Sequence, residues 1–397
     1  MNSIDTSTLL PGQVFSAPVY FDGKLLVNGN NPLKQKDIDL LINWGIKTVT
    51  TEGGIINKED PKKNQANALS DESSDNNAQA LKKEIIKFTI TDVQQNTGPY
   101  RAYKGFIEKL AAVFTGIKNN VGVEMRAVSN IGIQLLQDIR EHPNIFVDFI
   151  LGGEVAGHEL AKSSINTAIL SALTAQELRQ PHHKINNIIA GALLHDVGML
   201  RLSRGITEKK GGLSEAELEQ IKSHPMHSSK IITKELFGQQ EVSLIAYQHH
   251  ERWDGKGYPE RILGPAIDIG ARIVSVADAF EAMVSKKSYR NSLGGYQAIK
   301  NLLADNARRF DPAVISAFTK IMGIYPIGSI VRLNDTSVAR VVNVRSDAPL
   351  RPVIQMLINN YGKVLRTGER ATVDLLNEKK LFIKKAMDPQ ELDGLNA

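Results

Sequence analysis

The sequence predicts a multidomain, mainly α-helical chain: a helical bundle with a small N-terminal α+β module before it and a small C-terminal β domain after it. Three observations carry this expectation. The chain has 397 residues, more than one ordinary core organises. Its long middle has helical periodicity with capping signals, whereas both flanks are short apolar runs broken by Gly, Asn, Asp and Pro. Between the first flank and the middle lies a tract too poor in large apolar side chains to offset its own ordering entropy.

The N-terminal module is expected over residues 1–54. There "VFSAPVYF" and "KLLVNGN" read as short apolar runs between turns. In "LKQKDIDLLINWGIKTVTT", Leu33, Ile38, Leu41 and Ile42 mark one helical face, Gly45 stops the helix, and a strand follows over Lys47–Thr50. Residues 55–80, with "NKEDPKKNQANALSDESSDNNAQ" at their centre, read as a disordered polar linker. Residues 81–145 read as a helical connector and residues 146–322 as the main helical domain. Within that domain "SEAELEQI" opens on a capping box, Ser214 with Glu217, and "DPAVISAF" opens on Asp311 before a first-turn proline. Over residues 323–388 the runs "SIVRL", "ARVVNV", "PVIQMLI", "ATVDLL" and "LFIKKA" predict the strands of the β domain.

Composition narrows the chemistry. The absence of cysteine removes disulfides, thiolate metal sites and cysteine nucleophiles, so a metal must be held by imidazole and carboxylate, and a reducing, cytoplasmic setting is expected. The start, "MNSIDTSTLLPGQVF", has neither the basic residues nor the apolar run of an export signal, and no stretch reaches bilayer-spanning length, so no membrane partner is expected. Net charge is +5, and the tight basic pairs Lys62-Lys63 and Lys384-Lys385 lack aromatic company. A nucleic-acid polymer is therefore not an expected partner.

The informative residues lie in the helical middle. In "LLHDVGML" a His-Asp pair sits inside an apolar run, and Asp278 sits in another, "IVSVADAFEAM". Burying such carboxylates without partners is costly, and a cation between them resolves the cost. Adjacent helical residues differ by about 100° in direction, so His195 and Asp196 cannot address one ion in the same way. Two ions, bridged by Asp196 and completed by His224, His249 and His250, satisfy the pattern. Paired ions of this kind lower the pKa of a water and neutralise charge on a phosphate, which makes phosphoester hydrolysis the natural chemistry.

In order and spacing, "LLHDVGM", "SHPMHSSKII", "HHERWDGKGYPERI" and "ARIVSVADAFEAMVSKKSYR" resemble the HD-GYP domains, bacterial phosphodiesterases of cyclic di-GMP, from about Phe146 to Phe318. The resemblance implies that His195 and Asp196 are the catalytic, metal-binding dyad. It implies further ligands at His224, His249, His250 and Asp278, and at Glu159, the residue that marks three-ion members. Two or three divalent ions follow, with iron or manganese suited to the nitrogen and oxygen donors. The signature loop falls on Gly257, Tyr258 and Pro259, and phosphate-holding cations fall on Lys287 and Arg290. The implied function is second-messenger hydrolysis of cyclic di-GMP to pGpG, with GMP as a further product, and protein partners met through the Gly-Tyr-Pro loop or the outer domains. Two residues depart from the family pattern: Ser163 stands where a first-helix histidine is usual, and Met199 where a lysine is usual. They motivate a second reading, a cyclic di-GMP receptor or adaptor that keeps its metals without turnover.

Overall fold

The computed structural model describes residues 2–55 and 97–387, apart from residues 11, 22, 23, 28–30, 32, 34–37, 39, 40, 42–45, 47, 153–156, 208, 210, 286–293, 306 and 307. Beyond Ile55, the polar linker expected over 55–80 lies outside the described residues. The chain divides into two compact units, residues 1–74 and 75–397.

In the first unit, β1 (Asn2–Asp5), β2 (Val19–Phe21), β3 (Lys24–Val27) and β4 (Thr48–Thr51) form an antiparallel sheet of order β1-β4-β2-β3. Phe15, Val19, Leu33, Ile38, Leu41 and Val49 make its core. Three of the four positions on the expected helical face are thus buried together, and Ile42 lies outside the described residues. The final strand runs one residue later than Lys47–Thr50. β1 was not foreseen, because "NSID" carries a single large apolar residue. It forms an edge by pairing with β4, Asn2 opposite Thr51.

The second unit opens with α1 (Thr97–Lys118), α2 (Met125–Glu141) and α3 (Pro143–Gly152), followed by α4 (Glu159–Glu177) and α5 (His182–Leu194). A 3-10 turn over Val197–Arg201 leads to the single turn α6 (Arg204–Thr207), then α7 (Glu215–Lys222) and α8 (His224–Lys230), which widens into a π turn over Ile231–Glu235. The helical part closes with α9 (Gln240–Gln248), α10 (Ile269–Val284), α11 (Gly295–Ala304) and α12 (Pro312–Met322). Both caps read from the sequence are present. Ser214 Oγ accepts from the Glu217 N–H while the Glu217 carboxylate accepts from the Ser214 N–H, and Asp311 accepts from the Ala313 N–H at 2.8 Å. Asp268 starts α10 the same way, through the Gly270 N–H at 2.7 Å.

Burial follows the sequence pattern. α2 hides one stripe, Val128, Ile131, Leu135 and Ile139, as a surface helix does. α4 is buried from Ala161 to Ala175 on nearly every side, so it is the central helix, with α1, α5, α10 and α12 against it. Ile245 of α9 packs on Gly191 of α5 and Gly270 of α10, and a Cβ at either glycine would stand 2.6 Å from an Ile245 carbon. That contact draws together three of the four helices that carry the ligands of the candidate site, α8 being the fourth.

The C-terminal β domain is a five-stranded antiparallel sheet of order β8-β7-β6-β5-β9, built from β5 (Ile330–Leu333), β6 (Val338–Asn343), β7 (Val353–Ile358), β8 (Thr372–Asp374) and β9 (Ile383–Ala386). Each strand lies within or across one of the five apolar runs read from the sequence. Among the described residues no helix is long and apolar enough to cross a membrane.

Candidate metal centre

The apolar face of α5 ends at Leu194, and the chain turns at His195 and Asp196 into the 3-10 segment. That segment is fastened to α8. The Gly198 N–H donates to Ser228 Oγ at 2.8 Å, and Ser228 Oγ donates to the His195 carbonyl at 2.7 Å. Gly198 permits the approach, since a Cβ there would lie 2.1 Å from the His224 carbonyl oxygen. His224 begins α8, His249 and His250 follow the last turn of α9, and Asp278 lies within α10.

These elements converge. Asp196, His224, His249 and His250 each offer a ligand atom, all within 4.8 Å of one another. His224 Nε2 lies 3.0 Å and His249 Nε2 3.7 Å from Asp196 Oδ1, and the two Nε2 atoms are 3.3 Å apart. His195 Nε2 stands 3.5 Å from Asp196 Oδ2 and 3.7 Å from Asp278 Oδ1. The structure thus gathers six of the residues singled out in the sequence into one centre.

The rings are oriented before any ion arrives. His195, His224 and His249 each direct Nδ1 to the backbone carbonyl three residues earlier, on Ala192, Ile221 and Ala246, at 2.7, 2.6 and 2.8 Å. Each carbonyl can only accept, so Nδ1 carries a proton in every case and Nε2 is the ring atom turned toward the centre. The buried His195 Nε2 has no hydrogen-bond partner, an expense that a buried polar atom rarely bears. This orphaned nitrogen, with the all-imidazole and carboxylate donor set around it, fits divalent cations.

Electrostatics agree. Burial opposes charge on His195, yet the Asp196 carboxylate, then Asp278, outweigh it and push the ring up to about 9. Burial would raise the Asp196 carboxyl, but the charges of His195 and His224 hold it well below the usual range. Burial, then His250 and His195, keeps His249 well below an ordinary histidine. Burial and then His224 hold His250 at about 3. Two neutral rings beside two carboxylates that draw positive charge onto a third ring make a centre built for cations.

The Gly-Tyr-Pro loop adjoins it. The Tyr258 ring lies 4.8 Å from the His250 ring, and the Tyr258-Pro259 peptide is cis. Burial, reinforced by Asp196 and Asp278, raises the Tyr258 hydroxyl above its usual range, so it stays protonated. A Cβ on Gly257 would lie 2.4 Å from the Arg252 nitrogen. The loop is held by a residue not singled out in the sequence. Glu251, 3% exposed, accepts from the N–H groups of Glu260, Arg261 and Ile262 at 2.6, 3.0 and 3.0 Å. An acid directly after the paired histidines was the available signal. Glu251→Ala is expected to leave these donors unpaired and to cost about 1–3 kcal/mol, measurable by urea unfolding. Trp253 packs under Arg272, 5.7 Å from ring centroid to guanidinium.

Other expected residues fall elsewhere. Glu159 faces solvent, 65% exposed, and pairs with Lys162 at 3.0 Å, so the structure does not bring it into the centre. Lys287 and Arg290 lie outside the described residues. Met199 is half-buried in the 3-10 turn. Ser163 Oγ donates to Glu281 Oε2 at 2.7 Å, and the other Glu281 oxygen accepts from Asn166 and Ser285 at 3.2 and 2.6 Å. Tyr103 completes the chain by donating to Asn166 Oδ1 at 2.6 Å. Glu281 was passed over in the sequence, although it is a second acid in the apolar helix that carries Asp278.

Residues 155–314 match the model of the HD domain, and residues 330–395 that of the KOW domain associated with the HD domain. A cyclic di-GMP phosphodiesterase of Borreliella burgdorferi is 26% identical over 90% of this chain and 88% of its own length. A cyclic di-GMP phosphodiesterase of Pseudomonas aeruginosa is also 26% identical, over 64% of this chain and 61% of its own. Among solved structures, an HDG"Y"P protein of Bdellovibrio bacteriovorus aligns with a TM-score of 0.46 and 17% identity, over 81% of this chain and 98% of that one. Residues 155–314 thus carry an HD domain, and the two phosphodiesterase relatives support the resemblance to HD-GYP proteins read from the sequence.

Proposed function

We propose that this protein is a metal-dependent phosphodiesterase that hydrolyses cyclic di-GMP to pGpG, with GMP as a further product. The observation that carries the reading is the convergence of Asp196, His224, His249 and His250 within 4.8 Å, beside His195 and Asp278 and against the Gly-Tyr-Pro loop. The names of the two relatives support the substrate. His224, His249, His250 and Asp196 would hold one ion, and His195, Asp278 and the second oxygen of Asp196 another. The exposed pairing of Glu159 with Lys162 favours two ions over three. Bound there, such ions supply Lewis acidity, stabilising charge on a phosphate and lowering the pKa of a water. Iron and manganese suit the donors. The chain's own residues orient the ligand rings, exclude bulk water around His195 and His249, and place protonated Tyr258 beside the reacting phosphate. Lys287 and Arg290 are proposed to hold substrate phosphates.

Ser163 and Met199 favour a second reading, a receptor that binds cyclic di-GMP without cleaving it. Metal content per chain on anaerobically purified protein, followed by chromatography of cyclic di-GMP incubated with the same sample, separates the two. Two ions with pGpG formed support the enzyme. Bound metal with intact nucleotide overturns it in favour of the receptor. A further expectation concerns stability. Chelation should lower Tm and added manganese restore it, since an ion at a hundredfold excess over its Kd contributes about 2.7 kcal/mol. Thermal unfolding with and without chelator checks this.

A further inference from the structure

The net charge of the chain is not spread along it. Residues 323–388 hold eleven Lys and Arg against six Asp and Glu, so the C-terminal β domain alone accounts for the net charge of +5. Within the domain Arg345 and Lys363 are paired, with Asp374 at 2.9 Å and Glu369 at 3.1 Å. Among the described residues Lys379, Lys380 and Lys384, all exposed, form no ion pair.

The topology gathers these lysines with two aromatic rings at one end of the sheet. At its middle is the turn between β5 and β6, residues 334–337. Asn334 holds the segment that leads into β9: its Oδ1 accepts from the Phe382 N–H at 2.8 Å, its N–H donates to the Phe382 carbonyl at 3.0 Å, and its Nδ2 donates to the Lys380 carbonyl at 3.1 Å. On the other side Thr336 Oγ1 donates to the Asn360 carbonyl at 3.4 Å. That loop is fixed in turn by Asn359, whose Oδ1 accepts from the Tyr361 and Lys363 N–H groups at 3.0 and 2.9 Å. On this pinned backbone Tyr361 is 88% exposed and Phe382 49%. Two further acids at this end accept from backbone, Asp335 from the Ser337 N–H at 3.0 Å and Glu378 from the Lys380 N–H at 3.4 Å. The helical bundle meets the opposite end of the β5–β6 hairpin. Asn144 of α3 donates from Nδ2 to Asn343 Oδ1 at 3.1 Å, and Tyr296 of α11 stacks on Tyr325 with ring centroids 5.4 Å apart. The cationic, aromatic end is therefore the one remote from these helices.

We propose that this end of the β domain docks on an anionic membrane surface, with Tyr361 and Phe382 entering the headgroup layer and Lys379, Lys380 and Lys384 meeting the lipid charge. A chain can lie on a bilayer without any segment that spans it. Aromatic side chains favour the boundary between headgroups and acyl chains, and lysines near an anionic leaflet are drawn to it. Shape favours a membrane over a nucleic-acid strand. Single strands are taken into basic grooves lined with rings, whereas these two rings stand out from turns, with the cations beside them.

The test is co-sedimentation of the full, metal-loaded protein with vesicles of phosphatidylcholine, and with vesicles of phosphatidylcholine and phosphatidylserine in equal parts. Lys379→Ala/Lys380→Ala removes charge from the tip, Tyr361→Ser removes a ring, and Lys118→Ala/Lys234→Ala, in the helical bundle, is the control. Every substituted side chain is exposed, and the Tm of each variant verifies its fold. The expected result is binding to the anionic vesicles alone, weakened about tenfold or more by loss of the two tip lysines. Tyr361→Ser should weaken it too, the control should leave it unchanged, and added salt should lower it. Absence of binding to the anionic vesicles overturns the proposal, as does equal binding by the parent and both tip variants. Fluorescence anisotropy with a labelled single-stranded RNA of mixed sequence covers the other polyanion. RNA bound through the same residues, with no vesicle binding, overturns the membrane reading in favour of nucleic acid.

Discussion

Asp196→Ala is expected to purify with less than about a tenth of the parent's divalent metal, and any hydrolysis should fall by more than the about 10–100-fold typical of outer-shell partners. The reason is position. Asp196 reaches toward three imidazoles at once, with Oδ1 3.0 Å from His224 and 3.7 Å from His249, and Oδ2 3.5 Å from His195. Removing it strips the negative charge from between two proposed ion sites, so both ions face buried, neutral rings. Asp196→Asn keeps the volume and separates the two effects: if charge is the determinant, it should lose metal nearly as fully. Metal analysis of the two variants beside the parent decides this. Full metal retention by either would remove Asp196 from the ligand set.

Gly198→Ala should be the most damaging single-atom change in the bundle. Its Cβ would lie 2.1 Å from the His224 carbonyl and 2.6 Å from the Ser228 nitrogen, both backbone atoms that cannot rotate away. The 3-10 turn would have to lift off α8, breaking the Ser228 bonds to Gly198 and His195 and moving His224 from Asp196. A loss of about 3 kcal/mol or more is expected, at or above the upper end for overpacking, together with reduced metal content. Gly205→Ala is the control, since nothing lies within 4 Å of its added carbon. It should be neutral or stabilise its short turn by up to about 1 kcal/mol. Urea unfolding of both variants gives the comparison.

The centre was legible where chemistry conflicted with its surroundings. His195, Asp196 and Asp278 announced themselves as ionisable groups in apolar helices, and the loop histidines did so by their pairing. Glu281 and Glu251 obeyed the same logic but act through hydrogen bonds whose partners are distant in sequence: Ser163 is 118 residues from Glu281. Periodicity holds no record of such pairs. The two domains at the ends were legible as strands because their apolar runs are short and bounded by turn residues. β1 escaped because an edge strand with polar side chains has no pattern of its own and is defined by its neighbour. Glu159 shows the converse. Its place on α4 was read correctly, but the first turn of a helix can face water, where Lys162 is the nearer partner.

The three bonds from imidazole Nδ1 to the carbonyl three residues earlier bear on which ions the centre accepts. The rotamer entropy of these rings is lost when the helices form, so little ordering remains to oppose an arriving ion. The same tethering denies the rings freedom to rearrange around a cation with another preferred geometry. Discrimination in such a centre rests on the fit between fixed nitrogen directions and the coordination habit of the ion. A shift of one helix, carrying its ring as a rigid lever, would alter that fit directly.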